Sequence, residues 1–472
     1  MVNRGRPSKD CLPCRKRKLR CDLRVLVCGQ CQRAKILCHG YRKTEDMVFH
    51  DETNATKQKV FARRSLAFPG KPAVAQPLPW DTSFREAFFS LYLHRFSQSH
   101  TSLASLYSQA SVAGPLASSV DAISLAFAAF QFNSQKLRSQ ANKSYVNAIQ
   151  ILSQALCNPK ILESDETLQA VLLLDLCEKF ANCHQENSRS PWMIHVKGAM
   201  SLVEARGDRN FSSPIACQLA SCATEAMAIS CGVASVPVPN SLPTLRGTLD
   251  GFVFHANWEF SALVVSVVNL RADISSGELR INGVAATGRA RELDRSLAAL
   301  QEKLPSSWKP KRVHLVEQDT RLLGHYYDVY PSHSITQACN AIRMMRLEMN
   351  SIFRESNQLG SENSASDAIE LISRQICDTI PQFVLAETRP ENGLPFSPLQ
   401  RLQCCSMLSP LYLAAQLSAD DHLRGWISQT MEYMAEWGSL KMARDIADML
   451  KNKSDVDYWT VCTMTGSYAM NA

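Results

Sequence analysis

Cys11-Leu12-Pro13-Cys14-Arg15-Lys16-Arg17-Lys18-Leu19-Arg20-Cys21, answered by Cys28-Gly29-Gln30-Cys31 and then Cys38, decides how the head of this chain folds. The six cysteines run C-x2-C-x6-C, pause for six residues, and run C-x2-C-x6-C again. Each cysteine of the first triplet has a mate 17 residues on: 11 with 28, 14 with 31, 21 with 38. One three-cysteine unit is written twice. Between Cys14 and Cys21 lie five cations in six residues, Arg15 to Arg20. Thiolates beside such a block suggest a metal-folded module that docks on a polyanion.

Zinc prefers four tetrahedral ligands and takes thiolate at about 2.3 Å. Soft sulfur donors in that array point to zinc rather than to an oxygen-seeking ion. One zinc would leave two of the six thiolates idle. Two zincs need eight ligand positions, which six thiolates supply only if two of them bridge. The twofold repeat favours two metals. No coordination position then stays open, so the site is structural rather than catalytic, and metal binding supplies the folding free energy of a segment too small for its own core. A disulfide framework needs an oxidising compartment, and Met1-Val2-Asn3-Arg4 leads to more charge rather than to the apolar run of a secretory signal. An iron–sulfur cluster also uses C-x2-C spacing, but six thiolates with interleaved cations suit it poorly.

Charge is concentrated in the same place. Residues 1–44 hold 13 Lys and Arg against 2 Asp and Glu; residues 45–472 hold 38 against 42. The whole chain of 472 residues is +7, so the positive balance is local to the cysteine module. A basic patch at one end of a near-neutral body reads as a nucleic-acid docking head. Lys and Arg donate to guanine O6 and N7, the commonest specific base contact, while most other cations only neutralise phosphates. Arg15, Lys16, Arg17, Lys18 and Arg20 are the expected DNA-binding residues. Lys18 is favoured as a base reader over a phosphate contact. Arg33 and Lys35 are better placed for phosphate or water, Leu19 for a small core contact, and Asp22 for a turn or cap. The run Arg15 to Arg20 doubles as a nuclear import signal. Arg4-Gly5-Arg6-Pro7 has the form of a minor-groove arm, with a solvated tail the stronger reading.

The pattern Cys11-Leu-Pro-Cys14-Arg-Lys-Arg-Lys-Leu-Arg-Cys21-Asp22, closed by Cys28-Gly-Gln-Cys31 and Cys38, resembles the fungal zinc binuclear cluster transcription factors. The resemblance covers about thirty residues. It implies two Zn²⁺ ions bridged by Cys11 and Cys28, with Cys14 and Cys21 completing one site and Cys31 and Cys38 the other. It further implies two short helices starting near Cys11 and Cys28, the first presented to the major groove, and readout of CGG-like triplets with Lys18 at the base-contact position. This chain departs from many relatives at Arg17, often a second lysine there, and at Leu26, where a proline is common.

Residues 45–83 turn polar and then proline-rich, with Pro69, Pro72, Pro77 and Pro79 close together, and read as a semi-extended linker. Many relatives carry a coiled coil here, but Thr53 to Phe68 shows no sustained heptads, so dimerisation through the linker has no support. Val48 to Thr53 resembles a short stretch found after the cluster in some relatives.

From residue 84 onward the periodicity predicts one large all-α domain, 84–472. Phe84 to Phe96 reads as a compact amphipathic helix. Ser118 to Phe132, Ser144 to Leu156 and Asp165 to Phe180 read as helices with one apolar and one polar face. Glu163 to Glu166 offers a helix start, and Pro191-Trp192 opens a helix that Gly207 stops after Arg206. Only Phe252 to His255 and Lys311 to Val316 read as strands. Three prolines in Val236 to Leu249 suggest a soft break between two lobes. His195-x-x-Gly198-Ala199-x-x-Leu202-x-x-x-Arg206-Gly207 is similar to a stretch of the all-helical middle domain of the same fungal regulators. That resemblance implies a regulatory domain that senses metabolites, holds the protein inactive or binds coregulators. His195 itself is better read as a hydrogen-bonded core residue than as a ligand. Cys177, Cys183 and His184 space poorly for zinc, and Cys404-Cys405 faces two ways on a helix. The remaining thiols fit a reducing interior.

No phosphate loop, H-E-x-x-H, nucleophile elbow or dinucleotide fingerprint occurs, so no enzyme is expected. The stretch Ile215 to Val236 is the most span-like, but Gln218 and Glu225 interrupt it and no membrane partner is expected. The reading is a small Zn2Cys6 binuclear zinc cluster module, 1–44, followed by the linker and the all-α domain. Its expected role is a nuclear regulator of RNA polymerase II transcription. Duplex DNA is the main partner; a second copy of the chain and coregulators are further candidates. Length and the middle-domain likeness resemble pathway-specific regulators of biosynthetic gene clusters. The competing reading is a zinc-organised interaction module anchored on chromatin or RNA without sequence readout.

Overall fold

The computed structural model describes residues 9–41, 80–97, 99–181, 193–251, 256–315, 319–355 and 362–466. The expectations for Arg4 to Pro7, residues 45–79, Cys183 and His184, Pro191-Trp192, Phe252 to His255 and residue 316 lie outside them. The chain divides into two compact units, Met1–Gln76 and Pro77–Ala472.

In the first unit two five-residue helices, α1 (Leu12–Lys16) and α2 (Gly29–Arg33), stand around the cysteines. Among the described residues, 9–41, five buried cysteines and the half-buried Cys38 make the interior, with Tyr41 packed against them. For those 33 residues that is too little apolar surface to hold a fold, which places the burden on whatever the sulfurs bind.

The second unit is predominantly helical. Its first half runs α3 (Trp80–Ala87), a π-helical turn (Phe88–Leu93), α4 (Leu103–Gln109), α5 (Pro115–Phe132), α6 (Gln135–Ala155), α7 (Pro159–Leu162) and α8 (Asp165–Ala181). Then come α9 (Met193–Arg206), α10 (Pro214–Ala234), α11 (Ser241–Leu249), α12 (Ala256–Ser275) and α13 (Val284–Lys303). A hairpin of β1 (Lys311–His314) and β2 (Tyr326–Val329) follows, antiparallel with Lys311 opposite Val329. The remainder is α14 (His333–Glu355), α15 (Glu362–Cys377), α16 (Pro381–Val384), α17 (Pro398–Leu417), α18 (Asp421–Trp437), α19 (Lys441–Lys451) and α20 (Tyr458–Met464).

Helix ends follow local chemistry. Pro115 opens α5 at its first turn, and Asn133 closes it in the left-handed conformation. Ser397 and Gln400 form a reciprocal capping box on α17. Gly207 takes φ +52° and ends α9, as the sequence predicts. The expected single helix from Phe84 to Phe96 is instead an α-helix that widens into the π turn, with Phe88, Tyr92 and Phe96 all buried. Tyr92 stacks on Phe88 at 5.3 Å and meets Phe127 and Phe180 at 5.8 and 5.5 Å.

Helices α5 and α8 are not half polar. Both are buried nearly all round. Some of the polar residues there pair: Ser124 donates to the Val120 carbonyl at 2.7 Å, and Lys179 meets Asp175 at 2.7 Å with both side chains out of solvent. Among the described residues, α5 is the helix long and apolar enough to cross a membrane, rather than the Ile215 to Val236 stretch, and 72% of its span is buried in the core.

The soft break is corrected too. Residues 77–472 form one unit, and Val236 to Leu249 is stitched into it on both sides. The Val238 N–H donates to Asn269 at 3.0 Å, and buried Arg246 donates to Ser261 and to the Trp258 carbonyl, both at 2.9 Å. Its guanidinium also lies 3.7 Å over the Trp258 ring. One large apolar core runs through this unit, with a small separate cluster of Leu322, Tyr327 and Leu385 at the hairpin.

Candidate metal centre and nucleic-acid interface

The N-cap of α1 is Cys11 and the N-cap of α2 is Cys28. Cys14 and Cys31 sit one turn inside their helices. Each helix is then closed by the same pair of bonds. Leu19 N–H reaches the Cys14 carbonyl at 3.0 Å and Lys18 N–H the Arg15 carbonyl at 3.2 Å. In the second copy, Ile36 reaches Cys31 at 3.1 Å and Lys35 reaches Gln32 at 3.1 Å. These are two Schellman closures, and each puts a lysine, Lys18 or Lys35, at the left-handed position where glycine is usual. The closure turns the chain back so that Cys21 and Cys38 rejoin the sulfurs.

All six predicted ligands come together, in two groups of four. Cys11, Cys14, Cys21 and Cys28 have sulfurs within 4.8 Å of one another, and so do Cys11, Cys28, Cys31 and Cys38. The groups share Cys11 and Cys28, the two N-caps. Cys11 Sγ lies 3.6 Å from Cys28 Sγ and 3.7 Å from Cys31 Sγ, and Cys14 Sγ lies 3.6 Å from Cys28 Sγ. A disulfide would require about 2.05 Å. A tetrahedron with metal–sulfur bonds of about 2.3 Å has edges of about 3.8 Å. The sulfurs fit the tetrahedron, and the cysteines are free thiols.

Their electrostatics ask for a cation. Burial pushes the Cys11, Cys14 and Cys31 thiols up, Cys31 to about 12, with neighbouring sulfurs adding to the rise at Cys14 and Cys31. At Cys28 burial acts the same way but is outweighed by hydrogen bonds from the Cys31 N–H and the surrounding thiols, which hold it near 6. Six sulfurs at this spacing cannot all ionise unless positive charge lies between them. Either quartet could hold a metal ion.

Asp22 braces the centre. Both of its carboxylate oxygens accept the Gly29 N–H, at 2.9 and 3.0 Å, and Arg24 lies 3.3 Å away. This bears out the turn-or-cap role expected for Asp22.

The cations lie where a polyanion could reach them. Lys16, Arg17, Lys18 and Arg20 are exposed, and Arg15 is half-buried with its Nε left without a hydrogen-bond partner. Two expectations are corrected. The helix does not carry the whole run Arg15 to Arg20; it stops at Lys16, and the Schellman turn presents the rest. Leu19 is no core contact but 38% exposed, one of several surface apolar residues with Val25, Leu26 and Leu37.

In the helical unit, His195 Nε2 lies 2.6 Å from the Tyr145 hydroxyl and 3.3 Å from Glu178; it is hydrogen-bonded as expected, but half-buried rather than in the core. Cys177, Cys404 and Cys405 are buried and belong to no metal grouping among the described residues.

Comparison with known proteins adds one finding. Residues 77–229, from the start of the helical unit into α10, match the family described as fungal specific transcription factor domain. The match includes the His195 to Gly207 stretch and points to a regulator of transcription. No curated protein and no solved structure matches the chain.

Proposed function

We propose that this chain is a zinc-dependent, sequence-specific DNA-binding regulator of RNA polymerase II transcription, acting in the nucleus and without a catalytic role. The observation that carries the reading is the pair of sulfur quartets sharing Cys11 and Cys28 at the caps of two helices, beside an exposed block of cations. Two zinc ions would be held there, bridged by Cys11 and Cys28, with Cys14 and Cys21 on one side and Cys31 and Cys38 on the other. The metal supplies the cross-links that fix the two helices. The chain's own residues do the recognition: Lys18 donates to guanine edges of a CGG-like triplet, and Arg15, Lys16, Arg17 and Arg20 hold phosphates. The match over residues 77–229 supports the regulatory role of the body that follows.

The test is a gel mobility assay with the full chain and a CGG-containing duplex, with metal content measured by native mass spectrometry. Two zincs per chain, a shift lost on chelation and a clear preference over scrambled duplexes are expected. Metal affinity should fall as pH falls, because the thiols must release protons to bind. Equal binding to scrambled duplexes, with RNA competing as well as DNA, would instead favour a chromatin- or RNA-anchored interaction module.

A further inference from the structure

Gln131 and Arg401 bury donors that no described residue of the helical unit satisfies. Gln131 is 6% exposed, and its Nε2 has no hydrogen-bond partner; neither has the buried Nε of Arg401. Both line a small cavity together with Ser439, Leu440 and Lys441. That cavity shares Phe130 and Lys441 with a second one of about 380 Å³, walled by Phe180, the alanines of α5 and α6, and Arg138. A volume of this size suits a small molecule, for which roughly 300–1,000 Å³ is usual.

The lining is one-sided in charge. Arg138, Arg401 and Lys441 contribute cations, and among the described residues neither cavity is lined by an Asp or Glu. Lys441 reaches a carboxylate only one turn on, Asp445 at 3.9 Å, and Arg138 is bonded to the neutral amide of Asn133. The start of α19 opens onto the same place. Its N-cap, Leu440, gives no side-chain cap, although its carbonyl takes the Ala443 N–H at 3.1 Å, and Ser439 to Met442 at this positive end of an eleven-residue helix line the smaller cavity. Against this polar wall stand two aromatic rings, Phe130 and Phe180, packed 5.3 Å apart.

We infer that these adjoining cavities bind a small organic anion: an apolar, ring-sized body against Phe130 and Phe180, with a carboxylate taken up by Arg138, Lys441, the α19 N-terminus and the unspent donors of Gln131 and Arg401. A wholly apolar ligand would leave those donors unpaired, and a bare inorganic anion would leave the aromatic wall unused. The inference rests on the helical unit alone and stands or falls independently of DNA recognition.

The probe is 4-fluorobenzoate, with neutral 4-fluorobenzamide as its counterpart, followed by fluorine NMR on the full zinc-loaded chain. Benzoate should bind at least about tenfold more tightly than the amide, and the double variant Arg138→Gln, Lys441→Gln should weaken benzoate by a similar factor. Both side chains reach the surface, so the variant is expected to fold, which circular dichroism checks. Arg295→Gln, on α13, should change nothing. Gln131→Leu, which removes the buried donor, should also weaken benzoate. The inference is overturned if benzoate does not bind, if it binds no better than the amide, or if the double variant binds it as wild type does. Inorganic phosphate displacing the probe as well as unlabelled benzoate does would also overturn it, leaving a simple anion site.

Discussion

Lys18 and Lys35, 17 residues apart, occupy the same left-handed position in two copies of one turn, with φ of 55° and 50°. The repeat is therefore carried by the backbone as well as by the cysteines. A side chain at this position costs about 1 kcal/mol relative to glycine. Lys35→Gly should accordingly stabilise the metal-loaded module by up to about 1 kcal/mol, read as resistance to chelator in competition assays. Lys18→Gly should give the same gain while weakening a CGG duplex by roughly 1–3 kcal/mol. Loss of DNA affinity at Lys35 equal to that at Lys18 would show that the two turns do not differ in role.

Asp22 and Gly29 form the other coupling in the module. A Cβ on Gly29 would lie 2.5 Å from Asp22 Oδ2, so alanine there must push the carboxylate off the N–H that it caps. Losing such a cap costs typically about 1 kcal/mol. Gly29→Ala and Asp22→Ala should each reduce zinc retention by about that amount. The double variant should be little worse than either single one, since both remove the same bond. Additive losses in a chelator titration would show that the contact is not shared.

How much of this was legible depends on how far apart in sequence the partners stand. The six ligands fall within 28 residues, so their spacing alone reports the grouping. The Schellman closures were hidden because lysine, unlike glycine, gives no sign of a left-handed turn. Leu19 reads as core by residue type, but the turn aims it outward. Periodicity placed α5, α8 and α9 well, yet assigned α8 a wet face: Asp175 and Lys179 look solvated until their mutual pairing is seen. Strand β1 was legible from its alternation. Its partner β2, Tyr326–Val329, was not, because its hydrogen bonds and its Asp328 contact with Arg312 at 2.9 Å come from residues outside its own run. The anion cavity was beyond sequence reading altogether, since Gln131, Arg401 and Lys441 stand on three separate helices or their ends.

Gly232 illustrates the same limit and yields a sharp expectation. Near the end of α10 it resembles a helix stop, but it is buried, and a Cβ there would meet two carbons of the Trp459 ring at 2.5 Å and Val268 at 3.1 Å. Trp459 cannot easily yield: its indole N–H lies 3.4 Å from Glu348, and Arg271, which donates to the Gly232 carbonyl at 3.2 Å, sits 5.7 Å over its ring. Gly232→Ala should destabilise the helical unit by about 1–3 kcal/mol in denaturant unfolding. Adding Trp459→Phe should recover part of the loss. Wild-type stability in the single variant would mean that α10 and α20 are less closely packed than described.

His100 sets a pH dependence whose direction follows from its partners. It is 6% exposed, and Gln169 approaches its Nδ1 at 3.1 Å through an amide N–H, which requires that nitrogen to be unprotonated. Burial, with the Lys179 cation adding to it, lowers the imidazole from 6.5 to about 4. Above pH 6.5 the ring is neutral in both folded and unfolded chains and contributes no slope. As pH falls below that value the unfolded chain takes up the proton first, so stability drops until about pH 4, where the folded ring also titrates. The loss near pH 4.5 relative to pH 7 should be on the order of 2 kcal/mol from this residue. His333, lowered from 6.5 to about 3 by burial and Arg389, adds a loss of its own over the same fall below 6.5, which continues to about pH 3. His100→Gln keeps a hydrogen-bonding group beside Gln169 but cannot titrate. Whatever constant cost it carries, the difference in unfolding free energy between the two pH values should shrink by that amount relative to wild type. An unchanged pH slope in urea unfolding would mean that His100 is charged, or wet, in the folded chain.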